Sequence, residues 1–332
     1  MLKFLSIIFL IISTPVYSIT ICDLFPEYCT NLKRNQSRPV NSSYPTQSSA
    51  VFNNPAAVNT DRGLGIESIH YKGKAQLGII TGTGRIGAAI SNNPSEETFF
   101  GNGVQEDYLS YRERWFEKNQ YESEKFVFST AMNIFGKKKR KGLQMDLGIN
   151  YRNINDINTS YLGGGLALNW SRIISISYAE FRDAYVKDFR GKTVSLYNTD
   201  GSKSTTTFTN DDIYLYERHF QVKNYTFGIN YHNWSFDYSW FTTTNLDDNS
   251  KSYVKVFNSS LFYKKWMFSF GNREEESQRE YFDPKKDRMI TQKFKYNVFL
   301  GAQYAIGKHF VVGIFNNYYL LNEWSLGLTF FF

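Results

Sequence analysis

From residue 63 onward, bulky apolar residues alternate with small or polar ones over most of the chain. Side chains switch faces at each residue of a strand, so a period of two makes a ribbon with one oily and one wet face, whereas a helix needs steps of three and four. In the run 142–152, Leu143, Met145, Leu147, Ile149 and Tyr151 oppose Gln144, Asp146, Gly148, Asn150 and Arg152. In 234–243, Trp234, Phe236, Tyr238 and Trp240 oppose Ser235, Asp237 and Ser239. Runs of this kind predict strands at 63–71, 74–82, 85–91, 125–135, 142–152, 161–169, 172–181, 220–231, 234–243, 253–263, 266–273, 291–306, 310–316 and from 323 to the end. That makes about fourteen, an even number, as a single-chain antiparallel barrel requires for both ends to lie on one side.

The connections repeat the same message. With the N-terminus placed in the periplasm, the short turns near Gly82, Lys138, Trp170, His232, Lys264 and Gly307 all fall on that side. The insertions near Asn92, Asn153, Arg182, Asn245 and Glu275 all fall on the other. Outer-membrane barrels have short periplasmic turns and long external loops, and a wrong strand count would scramble the parity. The two longest insertions span 92–124 and 182–219.

The last ten residues carry the pattern to the terminus: Trp324, Leu326, Leu328, Phe330 and Phe332 share one face, and Ser325, Gly327 and Thr329 the other. A terminal strand ending on an aromatic resembles the closing strand of bacterial outer-membrane β-barrels, which implies that Phe332 is read by the barrel assembly machinery. The fold expected is therefore all-β, a transmembrane antiparallel β-barrel of about fourteen strands. The alternative is the edge of a soluble β-sandwich, which the repetition of the pattern along the chain disfavours.

Composition adds to the barrel reading. The mean hydropathy of −0.43 describes a chain polar on average, and no stretch has the eighteen or so continuous apolar residues of a membrane-spanning helix. A barrel has that property because half of every strand faces a wet lumen. Aromatics make up 18% of the chain, which girdles at both membrane interfaces account for. Outer-membrane lipids are accordingly the expected surroundings.

The first 18 residues carry one early positive charge at Lys3, a short apolar run from Ile7 to Ile12, and a cleavage-tolerant Val16-Tyr17-Ser18, the pattern of a secretory signal peptide. Export places the two cysteines, Cys22 and Cys29, in an oxidising compartment, where a disulfide closing a small loop is expected. The net charge of +7 does not point to nucleic acid, because the basic residues are scattered except for 137–141, which reads as a solvated turn.

Residues 19–62 lack periodicity and are rich in Asn, Ser, Thr and Pro, so they fill or cap something rather than form a core of their own. They close on a small-residue and Phe stretch, then Asn53, Asn54, Pro55, Ala56 and Ala57, and the first strand follows at once. This box is similar to one in the long-chain fatty-acid transporter (FadL-type) family of outer-membrane barrels. The resemblance implies an N-terminal hatch at 19–62 folded inside a barrel of residues 63–332, external loops that form a greasy landing groove, and passive uptake of a hydrophobic ligand. Within 92–124, Tyr108, Tyr111 and Trp115 with Phe116 recur at helical steps behind the acidic first turn of Glu106 and Asp107. With Phe99 and Phe100 they form the candidate groove, or else a lid on the barrel rim.

Catalytic chemistry finds little footing. The four histidines, His70, His219, His232 and His309, show no metal-ligand spacing, and no nucleophile elbow occurs. Gly82-Thr83-Gly84-Arg85 resembles a piece of a phosphate loop but no helix follows it. No enzyme activity, cofactor or metal is expected. Asp146, Asn150, Arg152, Asp237, Lys295, Asn297 and Gln303 are expected to face the lumen, pairing with one another and with the hatch. A structural or surface-contact barrel that anchors external loops, without transport, is the alternative to uptake.

Overall fold

A computed structural model describes residues 54–59, 63–71, 74–92, 125–136, 142–155, 158–171, 173–188, 193–197, 203–207, 215–231, 233–247, 249, 251–277, 280–283, 288–291, 295–307, 309–317 and 323–332. Its strands, in chain order, are β1 (Gly63–Tyr71), β2 (Lys74–Gly82), β3 (Ile86–Asn92), β4 (Lys125–Phe135), β5 (Leu143–Ile154), β6 (Thr159–Trp170), β7 (Ile174–Asp188), β8 (Thr193–Tyr197) and β9 (Lys203–Thr207). They continue as β10 (Leu215–Tyr231), β11 (Trp234–Asn245), β12 (Lys251–Tyr263), β13 (Trp266–Ser277), β14 (Glu280–Asp283), β15 (Arg288–Thr291), β16 (Lys295–Ile306), β17 (Phe310–Asn317) and β18 (Glu323–Phe331). Fourteen of them close into one antiparallel barrel, while β8 with β9 and β14 with β15 form separate two-stranded sheets.

Closure is made by the terminal strand, as its alternation demands. β18 pairs with β1 from Gly65 opposite Phe331 to His70 opposite Leu326, and the Phe332 amide donates to the Leu64 carbonyl at 3.0 Å. Trp324, Leu326, Phe330 and Phe332 face outward, and Phe331 is buried inside with Phe262, Met267, Ala305 and Val311. Pairing the last strand with the first leaves no open edge, which lets a sheet with an apolar outer face exist in lipid.

The outer wall is apolar along strand after strand. Phe126, Phe128, Leu147, Ile149, Phe227, Phe236, Phe268 and Phe270 are all outward and exposed. Near the short-turn end stand Trp170, Tyr231, Trp234, Tyr263 and Trp266, and about 20 Å further along the strands come Tyr225 and Trp240. In water so much contiguous exposed apolar surface would drive association; in a bilayer it is the lipid contact, with the aromatics at its two borders. A cleft of about 340 Å³ lined by Ile90, Phe126, Phe128, Tyr151 and Asn153 also lies on this outer wall.

Two boundaries differ from the sequence expectation. The insertion expected at 182–219 is largely strand: β7 runs on to Asp188 and β10 begins at Leu215, and they pair without break from Ile174–Ile229 to Asp188–Leu215. Residues 182–188 and 215–219 are rich in Arg, Asp, Lys, Glu and His, so the alternation that marks a strand in lipid is missing once the strand leaves it. Likewise β13 continues through Glu274, Glu275 and Glu276, and Thr291 pairs with Glu280 in a loop hairpin, so the next barrel strand starts at Lys295.

The two-residue turn between β12 and β13 places Lys264 at φ 53°. A Cβ in the left-handed region costs about 1–2 kcal/mol, which glycine avoids. Lys264→Gly is expected to raise the temperature at which the folded barrel converts to its unfolded gel mobility. An unchanged or lower conversion temperature would contradict the strain.

Candidate functional site

Residues 54–59 lie against the inner face of β3–β7. Asn54, in extended conformation, caps a 3-10 turn (Pro55–Ala57): its Oδ1 accepts from the Ala56 amide at 2.9 Å, and Pro55 at the first position gives up no needed donor. Being small, Ala56 and Ala57 let this turn sit flush on the wall, with Ala57 and Val58 packed among Ile80, Ala89, Val127 and Ala131.

The wall is shaped to receive it. A side chain on Gly148 would run into the Pro55 carbonyl carbon and the Ala56 nitrogen, one on Gly87 into Val58 and Asn59, and one on Gly165 into the Asn54 side chain. Three strands thus each spend a glycine on the segment, Gly87 and Gly148 on backbone-to-backbone approach and Gly165 on room for the Asn54 side chain. Polar contacts fix the two ends. The Asn54 Nδ2 donates to the carbonyls of Tyr178 at 3.1 Å and Leu166 at 3.4 Å, one from each strand of the β6–β7 pair. The Asn59 Nδ2 donates to Asp146 Oδ1 at 2.7 Å, and the Gly84 amide donates to the Asn59 carbonyl at 2.8 Å. Asp146 also accepts from Asn133 at 2.8 Å and Asn169 at 3.3 Å, so a buried carboxylate meets three amide donors.

Toward the long-loop end, the β6–β7 ladder stops at Gly164 opposite Glu180, while β7 continues on β10. A side chain at Gly163 would collide with the Phe181 Cβ and the Asn150 Oδ1, which places β7 on the lumen side of β6 at that height. Further up, Ile154 and Tyr161, on the inner faces of β5 and β6, pack on Ala184, and the Tyr161 hydroxyl and His219 Nδ1 are 2.6 Å apart. The upper β7–β10 hairpin therefore steps inward behind β5 and β6. A buried ion group holds it there: Asp183 Oδ1 lies 2.9 Å from Lys125 Nζ, its Oδ2 accepts from Arg152 at 2.8 Å, and the Arg152 guanidinium sits 3.7 Å from the centre of the Phe181 ring.

Two zones of inner wall then remain on β7 and β10–β13. Phe181, Phe220, Val222, Phe241, Val254 and Val256 make an apolar belt in the half nearer the long loops. Below it the wall turns to Ser, Thr, Asn and Gly. Of the lumen residues expected from the sequence, Asp146, Asn150, Arg152, Asp237 and Gln303 are buried on the inner face. The side chains of Lys295 and Asn297 lie outside the described residues, as do Phe99, Phe100, Tyr108, Tyr111, Trp115, Phe116, Asn53, Cys22, Cys29 and residues 1–53 generally. No group of metal-binding side chains occurs among the described residues.

Sequence reading passed over the glycine seats and Asp183. Gly163-Gly164-Gly165 was a legible signal, since three consecutive glycines in a strand mark close approach of another backbone.

No protein-family model matches the chain, and no curated protein sequence matches it either. Among solved structures it is similar to a Pseudomonas aeruginosa FadL homologue, with 10% identity, 90% of this chain and 97% of that one covered, and a TM-score of 0.47. It is similar to the Ralstonia pickettii toluene transporter TbuX at 12% identity with the same coverage and TM-score. The P. putida toluene transporter TodX aligns at 10% identity over 90% of this chain and 96% of that one, with a TM-score of 0.41.

Proposed function

We propose that this barrel sits in the outer membrane and passes hydrophobic small molecules inward without an energy source. The observation that carries the reading is the seating of residues 54–59 on three inner-wall glycines of β3, β5 and β6, with an apolar belt of Phe181, Phe220, Val222 and Phe241 on the inner wall of β7, β10 and β11. A porin for hydrated solutes needs a wet, open lumen. Here a chain segment is bound to the inner wall, and the belt on β7, β10 and β11 suits apolar ligands. Residues 1–18 serve for export, Cys22 and Cys29 pair with each other, and the assembly machinery reads Phe332. Tyr108, Tyr111, Trp115 and Phe116, with Phe99 and Phe100, supply the landing groove. Release is sideways into the bilayer, because water is a poor destination for an apolar molecule.

The test is single-channel conductance in planar bilayers beside uptake of a fluorescent fatty acid by cells. Full-length protein is expected to be closed to ions and active in uptake, with Trp115→Ala plus Phe116→Ala lowering uptake about tenfold, as loss of two buried aromatic contacts implies. Porin-like conductance of the full-length chain, or uptake unchanged by the double substitution, would favour a barrel that only anchors its external loops.

A further inference from the structure

Small residues on the inner wall of β3–β6 have a visible purpose, since residues 54–59 occupy the room they leave. The wall of β7 and β10–β13 is just as sparing of bulk. One row across the strands reads Ser177, Thr226, Ser239, and the next reads Ser175, Gly228, Asp237, Asn258, Gly271. A third reads Ser235, Ser260, Ser269, Gly301. On β7, β10 and β11 three successive rows thus carry no side chain larger than Asn or Asp, the first row passing on to Val256 of the belt and to Arg273, and the recess is polar where the opposite seat is apolar.

Its hydrogen bonding is incomplete in the middle. Thr226 and Ser239 hydroxyls meet at 2.9 Å, as do those of Ser260 and Ser269 at 2.8 Å. Beside the first pair, on β7, Ser175 Oγ and Ser177 Oγ make no hydrogen bond, and between the pairs, on β12, neither amide atom of Asn258 makes one, although the three residues are only 4%, 5% and 1% exposed. A buried polar group without a partner loses its water and gains nothing in return, so several on one wall call for a ligand that satisfies them. Ser175 and Ser177 lie about 7 Å apart along β7, and Asn258 about 14 Å across from them, the span of a group with several hydroxyls.

We propose that this recess binds the head of an amphiphile that carries several uncharged hydroxyl groups, as on a sugar or polyol, while its tail lies on the apolar belt above. The proposal rests on the uptake reading and names the class of its substrate. Ser and Asn both donate and accept, as hydroxyls do. The buried cations Lys125 and Arg152 stand on β4 and β5 and are committed to Asp183, so neither is available to a carboxylate head in the recess. Phe241 lies two residues from Ser239 on the same face of β11, and Val254 four from Asn258 on β12, so head and tail sites are continuous. The recess is covered in this closed state, and a ligand enters by displacing what covers it.

Full-length protein held in amphipol is dialysed against radiolabelled octyl glucoside, octanoate or glucose, below micelle-forming concentrations. Octyl glucoside is expected to bind about tenfold tighter than octanoate and more tightly still than glucose. Ser177→Val with Asn258→Leu is expected to erase that preference and leave octanoate binding within about twofold. The double variant removes unsatisfied groups, keeping the heavy-atom shape at Asn258 and adding one methyl group at Ser177, and heat-dependent gel mobility checks that it folds; Ser175→Ala gives a milder second variant with a smaller loss in the same direction. Equal binding of glucoside and octanoate by the unaltered protein, or a preference that survives both variants, overturns the recess and leaves the uptake reading intact. Glucose binding as tightly as octyl glucoside overturns the amphiphile. Failure of all three probes to bind overturns both readings together.

Discussion

Gly148→Val is expected to turn a closed barrel into an ion-conducting one without unfolding it. The inner face of Gly148 touches the backbone of Pro55 and Ala56, and a Cβ there would lie 2.6 Å from the Pro55 oxygen and closer still to two more backbone atoms. Neither partner can move a side chain aside, so one backbone must yield. β5 is held by ladders to β4, with one register shift between Asn133 and Phe135, and to β6 along its whole length from Leu143–Trp170 to Ile154–Thr159. The segment is held by four hydrogen bonds and the burial of a few small side chains, and each bond contributes about 1 kcal/mol net. The segment therefore leaves. A fourteen-stranded lumen is too broad for its own side chains to fill, so its departure opens a water path. Gly164→Ala is the control: one residue from Gly165 but on the other face, its added Cβ would meet nothing nearer than the Gly148 carbonyl at 3.7 Å, and it should stay closed. Both variants should keep heat-dependent gel mobility. A folded Gly148→Val barrel that remains closed to ions would show that residues 54–59 do not obstruct the lumen.

The barrel was legible in the sequence for a simple reason. Lipid on one side and lumen on the other impose a period of two wherever a strand crosses the bilayer, and Trp234 to Trp240 or Leu143 to Tyr151 obey it without exception. The same physics hid the upper halves of β7 and β10. Above the lipid both faces meet polar surroundings, so Arg182-Asp183 and Glu217-Arg218-His219 look like loop although they pair as strand. The seat of residues 54–59 was half legible. Asn54-Pro55-Ala56-Ala57 announced a capped turn, but its partners Gly87, Gly148 and Gly165 stand on three separate strands. Only closure of the barrel brings them to one place. Asp183 was invisible as a functional residue because its partners Lys125 and Arg152 are 58 and 31 positions away, and nothing in local pattern links them.

Asp183→Asn is expected to free the upper β7–β10 hairpin while the barrel below stays intact. Both carboxylate oxygens are engaged, one by Lys125 at 2.9 Å and the other by Arg152 at 2.8 Å, with all three side chains at most 2% exposed. An amide keeps one acceptor and turns a donor toward the second cation. Removing one member of a buried ion group costs about 3–5 kcal/mol, because the remaining charges have lost their compensation in a low-dielectric site. That penalty falls where the wall is weakest. Above Glu180, β7 has no ladder to β6, and beyond the ion group the structure holds it against β5 and β6 by Ile154, Tyr161, Ala184 and the Tyr161–His219 contact. Local opening is the cheaper response than loss of the closed sheet below. Limited proteolysis of the Asp183→Asn protein should therefore cut within residues 182–219 at least about tenfold faster than in the unaltered chain, with the membrane-embedded strands still resisting detergent until heated. The triple variant Lys125→Met, Arg152→Leu, Asp183→Leu separates charge loss from shape: replacing a whole buried ion group by apolar side chains is commonly neutral or stabilising, so it should restore resistance. Equal cleavage rates for Asp183→Asn and the unaltered protein would show that the ion group does not hold the hairpin, and cleavage of the triple variant as fast as the single one would show that charge balance is not the cause.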